Sequence, residues 1–367
     1  RLELEVYEIA EGVLARRPGD IRSMKNRALA AGLLGDIAMR RHDTAKAAEF
    51  AQRSRTAGED LVRFNPSDLG SWQHLIRGRE QIAEIMFQQG EVDAAIAQSR
   101  ETVALAKDER LKSSLDSMLE DTWYALAWGE AELGRREAAE RTFASAAKAG
   151  EVSASQWAKD NPIRDLTTIR IAMSRARLHF LLGDHQRAFD ESMAVGLDLE
   201  SRPQLRDDAR ARQFYNNLTH ASLIVGGESA LRLGQFEEAE KLVRHRQGLP
   251  PLSFGNAEAN AARDKVLLAQ ILAAQGRGAD AREVLAPALE YYRKEKEAGA
   301  SGTDFSMDYA RAVFVSAISQ ESDPRGVAAR RAALADAERQ LATLSAEARQ
   351  LKGAREVTAW IGSARGS

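Results

Sequence analysis

The sequence predicts an all-α fold, a stack of antiparallel helical hairpins. Three observations predict it. Apolar residues recur at three- and four-residue steps, as at Ile82 and Met86, which is the period of an amphipathic helix. Proline is scarce, with 8 in 367 residues, and strand-like alternation of β-branched residues is hard to find. A single pattern also returns along the whole chain, and self-similarity of that kind marks a repeat architecture. In it a break residue, usually Gly, is followed five positions later by Ala and preceded by seven positions by a small residue.

Five copies are complete. Gly90 stands with Ala83 and Ala95, Gly134 with Ala127 and Ala139, and Gly183 with Ala176 and Ala188. Gly234 stands with Gly227 and Ala239, and Gly276 with Ala269 and Ala281. Two weaker copies centre on His42, with Gly35 and Ala47, and on Asp323, with Ser316 and Ala328. A Gly ends a helix because it takes the left-handed conformation cheaply. A small residue in each helix of the pair lets the two backbones approach closely. Each hairpin then buries its apolar stripe on its neighbours.

Trp123-x2-Leu126-Ala127, followed by Ala139-x3-Phe143, carries a further signal. Leu34-Gly35 and Leu268-Ala269 repeat its front element, and Ala281-x3-Leu285 its rear one. This pattern resembles the tetratricopeptide repeat family, whose signature is W-x2-L-G-x2-Y followed by A-x3-F and P. The resemblance covers nearly the whole chain and implies a right-handed superhelical solenoid of about seven hairpins. It also implies that Trp123 packs between the helices of its hairpin, with Phe143 as partner. The breaks at 42, 90, 134, 183, 234, 276 and 323 are wider apart than the family period of about 34 residues. Longer helices such as Ala48 to Arg63, and loops such as Asn65-Pro66-Ser67-Asp68, take up the difference. NPSDLGSW, Asn65 to Trp72, is similar to a long-hairpin subtype in the C-terminal repeat regions of large bacterial signalling and defence proteins. There the repeats follow an effector domain, and this chain shows no effector motif.

The whole chain, 1–367, reads as one repeat domain. A leading helix at 1–18 closes at Pro18-Gly19-Asp20. Hairpins are expected at about 20–63, 69–107, 112–149, 162–199, 206–247, 256–297 and 303–344. Arg244 to Phe254 is a connector whose Pro250-Pro251 pair stops a helix. Gly299 to Asp304 is a second link, with Thr303 as an N-cap candidate. A last helix at 346–363, carrying Leu351, Val357, Trp360 and Ile361, is expected to cap the exposed apolar end of the stack.

The resemblance places one face of each first helix on a concave groove. In its register the candidate groove residues are Arg77, Phe87, Tyr124, Trp128, Arg170, Arg177, Phe180, Glu228, Arg232 and Arg263. Guanidinium forks suit carboxylates and aromatic rings supply rigid contact area, so such a groove suits a peptide segment.

Little else in the sequence suggests chemistry. There is no Cys, hence no disulfide, thiol nucleophile or thiolate metal site. The six His form no H-E-x-x-H, and no phosphate-binding Gly-rich loop or G-x-S-x-G elbow occurs. Lys and Arg number 52 against 54 Asp and Glu, a balance unlike that of a nucleic-acid binder. No apolar run of about 18 residues exists to span a membrane. The chain starts at Arg1 with neither a signal peptide nor an initiator Met, which reads as a piece of a longer protein. The expectation is a cytoplasmic, non-catalytic scaffold without cofactor or metal that binds a protein or peptide segment in the groove. Alternatives are a sensor region for a small molecule or short peptide that controls an effector domain absent from the chain, and a self-assembly module.

Overall fold

Five of the seven expected breaks share one backbone geometry. The structure is a computed structural model that describes residues 2–41, 43–107, 114–115, 118–156, 161–252, 256–321 and 324–366. Gly90, Gly134, Gly183, Gly234 and Gly276 all lie at φ between 73° and 85°. At Gly90 the amide donates to the Phe87 carbonyl, and the Glu91 amide reaches back to Met86. The same pair of bonds recurs at Gly134 with Arg135, Gly183 with Asp184, Gly234 with Gln235, and Gly276 with Arg277. This is the Schellman motif, which satisfies the last carbonyls of a helix while turning the chain. The weak breaks at His42 and Asp323, and part of the connector up to Phe254, lie outside the described residues.

The helices that result are α1 (Leu2–Leu14), α2 (Ile21–Arg40), α3 (Thr44–Phe64), α4 (Leu69–Gln88), α5 (Val92–Val103) and α6 (Glu120–Glu132). Then come α7 (Arg136–Ser155), α8 (Pro162–Leu181), α9 (His185–Glu200), the short α10 (Pro203–Asp207), α11 (Arg212–Arg232) and α12 (Phe236–Gln247). Last are α13 (Ala257–Ala274), α14 (Gly278–Glu297), α15 (Thr303–Ile318), α16 (Pro324–Ala342) and α17 (Lys352–Gly366). No strand occurs among the described residues. Sequential contacts pair α2 with α3, α4 with α5, α8 with α9, α11 with α12, α13 with α14 and α15 with α16. Several first helices start on a side-chain cap. Asp20 accepts from the Ser23 amide, Asp68 from Ser71, Asn161 from Ile163, and Asn256 from Glu258 and Ala259, each satisfying a donor that the helix start leaves unpaired.

Contacts divide the chain into two compact units, Arg1–Gly129 and Glu130–Ser367. In the first, α1 packs on α2, α2 on α3, α3 on α4 and α4 on α5. The tightest crossing joins α3 to α4. A Cβ placed on Gly58 would stand 2.5 Å from Leu75 Cα, and one on Gly78 would stand 2.6 Å from the Arg55 nitrogen. The two glycines thus let two backbones touch. Trp123 packs with Ile76, Leu115 and Leu119.

In the second unit α8 packs on α9 and α11, α11 on α12, α13 on α14 and α15, and α15 on α16. The small repeat positions are sealed: Ala176, Ala188, Ala239, Ala269 and Ala281 have no exposed surface. Gly227 lies where a Cβ would meet Val243 at 3.0 Å.

Two local expectations need correction. Thr303 is the first residue of α15 and is buried, and the cap is Gly302 at φ 117°. The last helix begins at Lys352 rather than near 346, because a 3-10 turn at Ala348–Gln350 and an extended Leu351 come first.

Candidate functional site

The last helix does more than close the stack. One stripe of α17, Ala354, Val357 and Ile361, is buried, and the helix packs on α15 and α16. Its C-terminal end is tied to α16. Arg330 donates to the Ala364 carbonyl at 2.8 Å, and Arg365 pairs with Glu338 at 2.5 Å. That much is what a capping helix requires.

A second stripe, Lys352, Glu356 and Trp360, recurs every four residues and therefore shares one face. It meets the first helices of earlier hairpins. Lys352 donates through its Nζ to the Phe180 carbonyl, and that ammonium stands 4.2 Å from the centre of the Phe180 ring. The Lys352 amide donates to Glu132 at 3.0 Å. Glu356 accepts from Arg232 at 2.8 Å. Trp360 stacks on Phe314 of α15, ring centres 5.7 Å apart. The Arg232 and Arg311 guanidiniums stand 4.8 and 5.8 Å from its ring centre. The α17 helix thus lies along the face that α8, α11 and α15 present.

Behind it runs a charge network. Glu228 accepts from Arg311 at 2.5 and 3.1 Å and from Arg232 at 3.0 Å. Arg311 also donates to Gln270 of α13 at 2.9 Å. Burial alone would raise the Glu228 carboxyl. Arg311 and then Arg232 outweigh it and bring the pKa down to about 2. Further along the same face Arg263 pairs with Asp308 at 2.5 Å. Burial pushes Asp308 and Glu132 up and draws Lys352 and Arg177 down. Arg177 still meets solvent, with Glu132 and Asp304 the carboxylates that act on it.

Of the groove residues expected from sequence, five gather here: Arg177, Phe180, Glu228, Arg232 and Arg263. Arg170 stays on α8, its guanidinium 5.7 Å from the Phe214 ring centre on α11. Arg77, Phe87, Tyr124 and Trp128 belong to the first unit. There Arg77 pairs with Asp36 at 2.7 Å, and Phe87 is half-buried. Tyr124 is buried and stacks on Trp128, ring centres 5.9 Å apart. Polar contacts lace the first helices of this unit as well. Gln81 of α4 donates to Gly32 and Asp36 of α2, each at 2.7 Å, and Thr122 of α6 donates to Glu80 at 2.5 Å.

Sequence reasoning missed Arg311, Asp308 and the Lys352–Glu356–Trp360 stripe. A cap needs a single apolar stripe. The second stripe on 352–360 was the available signal that this helix has two partners.

No group of three or more His, Asp or Glu poised for a metal ion occurs among the described residues. No described helix is long and apolar enough to cross a membrane.

No family model and no curated protein matches the chain. Among solved structures, the P58(IPK) TPR domain is similar over 100% of this chain and 95% of its own, at 12% identity and a TM-score of 0.26. Naa15/Naa10 bound to HypK-THB is similar over 98% of this chain, at 14% identity and a TM-score of 0.20. The chain spans 62% of that second structure's length. Both TM-scores are low, and neither likeness carries weight for function.

Proposed function

We propose that this chain is a protein-interaction module whose recognition surface is the face of α8, α11, α13 and α15. The observation that supports this most directly is that a helix lies on that face. Guanidiniums, carboxylates and aromatic rings are aligned there along successive first helices, and they hold α17 by side-chain contacts. A surface that accommodates an amphipathic helix from its own chain has the shape and chemistry of a helix-in-groove site. Its charges are matched in sign and mutually paired, which favours orientation and selectivity over raw affinity. A bacterial origin, an effector domain elsewhere in a longer chain and a cytoplasmic setting belong to the same proposal and rest on the sequence resemblance.

The test is capture of partners from a lysate of the source cell by the chain and by a variant with Arg170→Glu and Arg177→Glu, both checked for helicity. Partners held by the first and lost from the second support the reading. Partners held equally by both contradict it.

A further inference from the structure

We propose that α17 holds the place of a partner helix. On this proposal the face of α8, α11 and α15 recognises an amphipathic helix presenting a cation, a carboxylate and a Trp at successive turns, and α17 leaves when such a helix binds. The inference rests on the reading of this face as a recognition surface and goes further by naming the ligand's register and its competitor.

Arg232 divides its guanidinium between Glu228 at 3.0 Å and Glu356 at 2.8 Å. When α17 departs, Arg232 keeps Glu228. Glu228 in turn keeps Arg311. On the departing side Lys352 and Glu356 stand four residues apart and pair with each other at 3.6 Å. Neither side is left with a buried, unpaired charge, which is the usual large cost of breaking an interior ion pair. The contacts between α17 and the distant helices α8 and α11 are hydrogen bonds, ion pairs and ring–cation contacts, the kind that water or another helix can replace.

The apolar stripe sets the remaining requirement. Ala354, Val357 and Ile361 lose their cover if α17 moves off α15 and α16. A competitor must therefore bring an apolar stripe beside the polar one. The complementary chemistry is thus specific: a cation for the Phe180 ring and carbonyl, a carboxylate for Arg232, and an indole between Arg232, Arg311 and Phe314.

The probe is a fluorescent synthetic peptide of residues 345–366, titrated onto the full chain and onto a full-length variant with Glu356→Arg and Trp360→Ala. A control peptide exchanges the charges, with Lys352→Glu and Glu356→Lys. The expected result is binding to the variant at least tenfold tighter than to the wild-type chain, and at least tenfold weaker binding of the control peptide to the variant. Equal binding to both chains overturns the proposal, and so does equal binding of both peptides. Native-state hydrogen exchange on the unaltered chain gives a second reading that does not depend on how the variant folds. Amides of α17 are expected to open at least tenfold more readily than those of α13. Exchange of α17 at the rate of α13 makes it a permanent cap and also overturns the proposal. If that happens while the Arg170→Glu, Arg177→Glu variant still loses its lysate partners, the recognition face stands and only the displacement fails.

Discussion

Arg232 and Glu356 are 124 positions apart in the chain and meet at 2.8 Å. Their pairing carries the last helix across the repeat rather than only against its end. A solenoid's contacts are otherwise between neighbouring hairpins, so this link adds a long-range closure to a fold built from local ones.

The indole of Trp360 contributes to that closure through one ring stack and two guanidinium contacts. Each is worth about 1 kcal/mol when partly desolvated. Trp360→Ala is therefore expected to raise amide exchange across α17 by about tenfold or more and to leave α13 and α14 unchanged. Hydrogen exchange read by mass spectrometry checks this. Trp360→Phe is expected to recover part of the loss.

The Glu228 carboxylate makes the second unit sensitive to acid. Its pKa is about 2 in the folded chain against the ordinary 4.5 of a glutamate. A depressed carboxyl contributes stability that is complete above the unfolded pKa and is lost as pH falls through the folded one. That contribution is on the order of 3 kcal/mol at neutral pH. Glu132 and Asp308 are shifted the other way by burial and oppose the trend. The comparison to make is therefore between the chain and its Glu228→Gln variant. The stability difference measured by denaturant is expected to be full above about pH 4.5 and to shrink steadily toward pH 2.5.

The α3–α4 crossing admits no side chain. Gly78→Ala puts a methyl against the Arg55 backbone and is expected to destabilise the first unit by about 3 kcal/mol. Gly12→Ala is the control. It lies in α1 with nothing within 4 Å of a new Cβ, so it is expected to stabilise by about 0.5 kcal/mol through helix propensity. Thermal unfolding of the two variants separates these outcomes.

The break glycines test a different principle. Gly234 lies at φ 74° with open space around it. Gly234→Ala is expected to cost about 1 kcal/mol from backbone strain alone, and Gly234→Asn less, because Asn tolerates the left-handed region. A loss equal to that of Gly78→Ala would show that space is the limit at Gly234 as well.

The breaks were legible in the sequence because a left-handed helix end needs Gly, and five of them fall in one register with sealed alanines around them. The inner face was legible in part. The register carried from Tyr124 and Trp128 names Phe180, Glu228 and Arg232, and these three stand together beside α17. Tyr124 itself is buried and stacks on Trp128 one turn away. Gly58 and Gly78 stood outside the repeat pattern, and nothing in a helical period distinguishes a helix crossing from an ordinary mid-helix glycine. The path of α17 was not legible. Periodicity assigns a helix its faces, and it cannot say which distant helix receives the second one.

A double-mutant cycle on Arg232 and Glu356 tests most directly that α17 is seated on the face of α8, α11 and α15. The opening free energy of α17 is measured by native-state hydrogen exchange in the chain, in Arg232→Ala, in Glu356→Ala and in the double variant. The expected coupling is about 1 kcal/mol or more, the range for contacting residues in one ion-pair network. Additive effects, with no coupling between the two positions, would contradict the account.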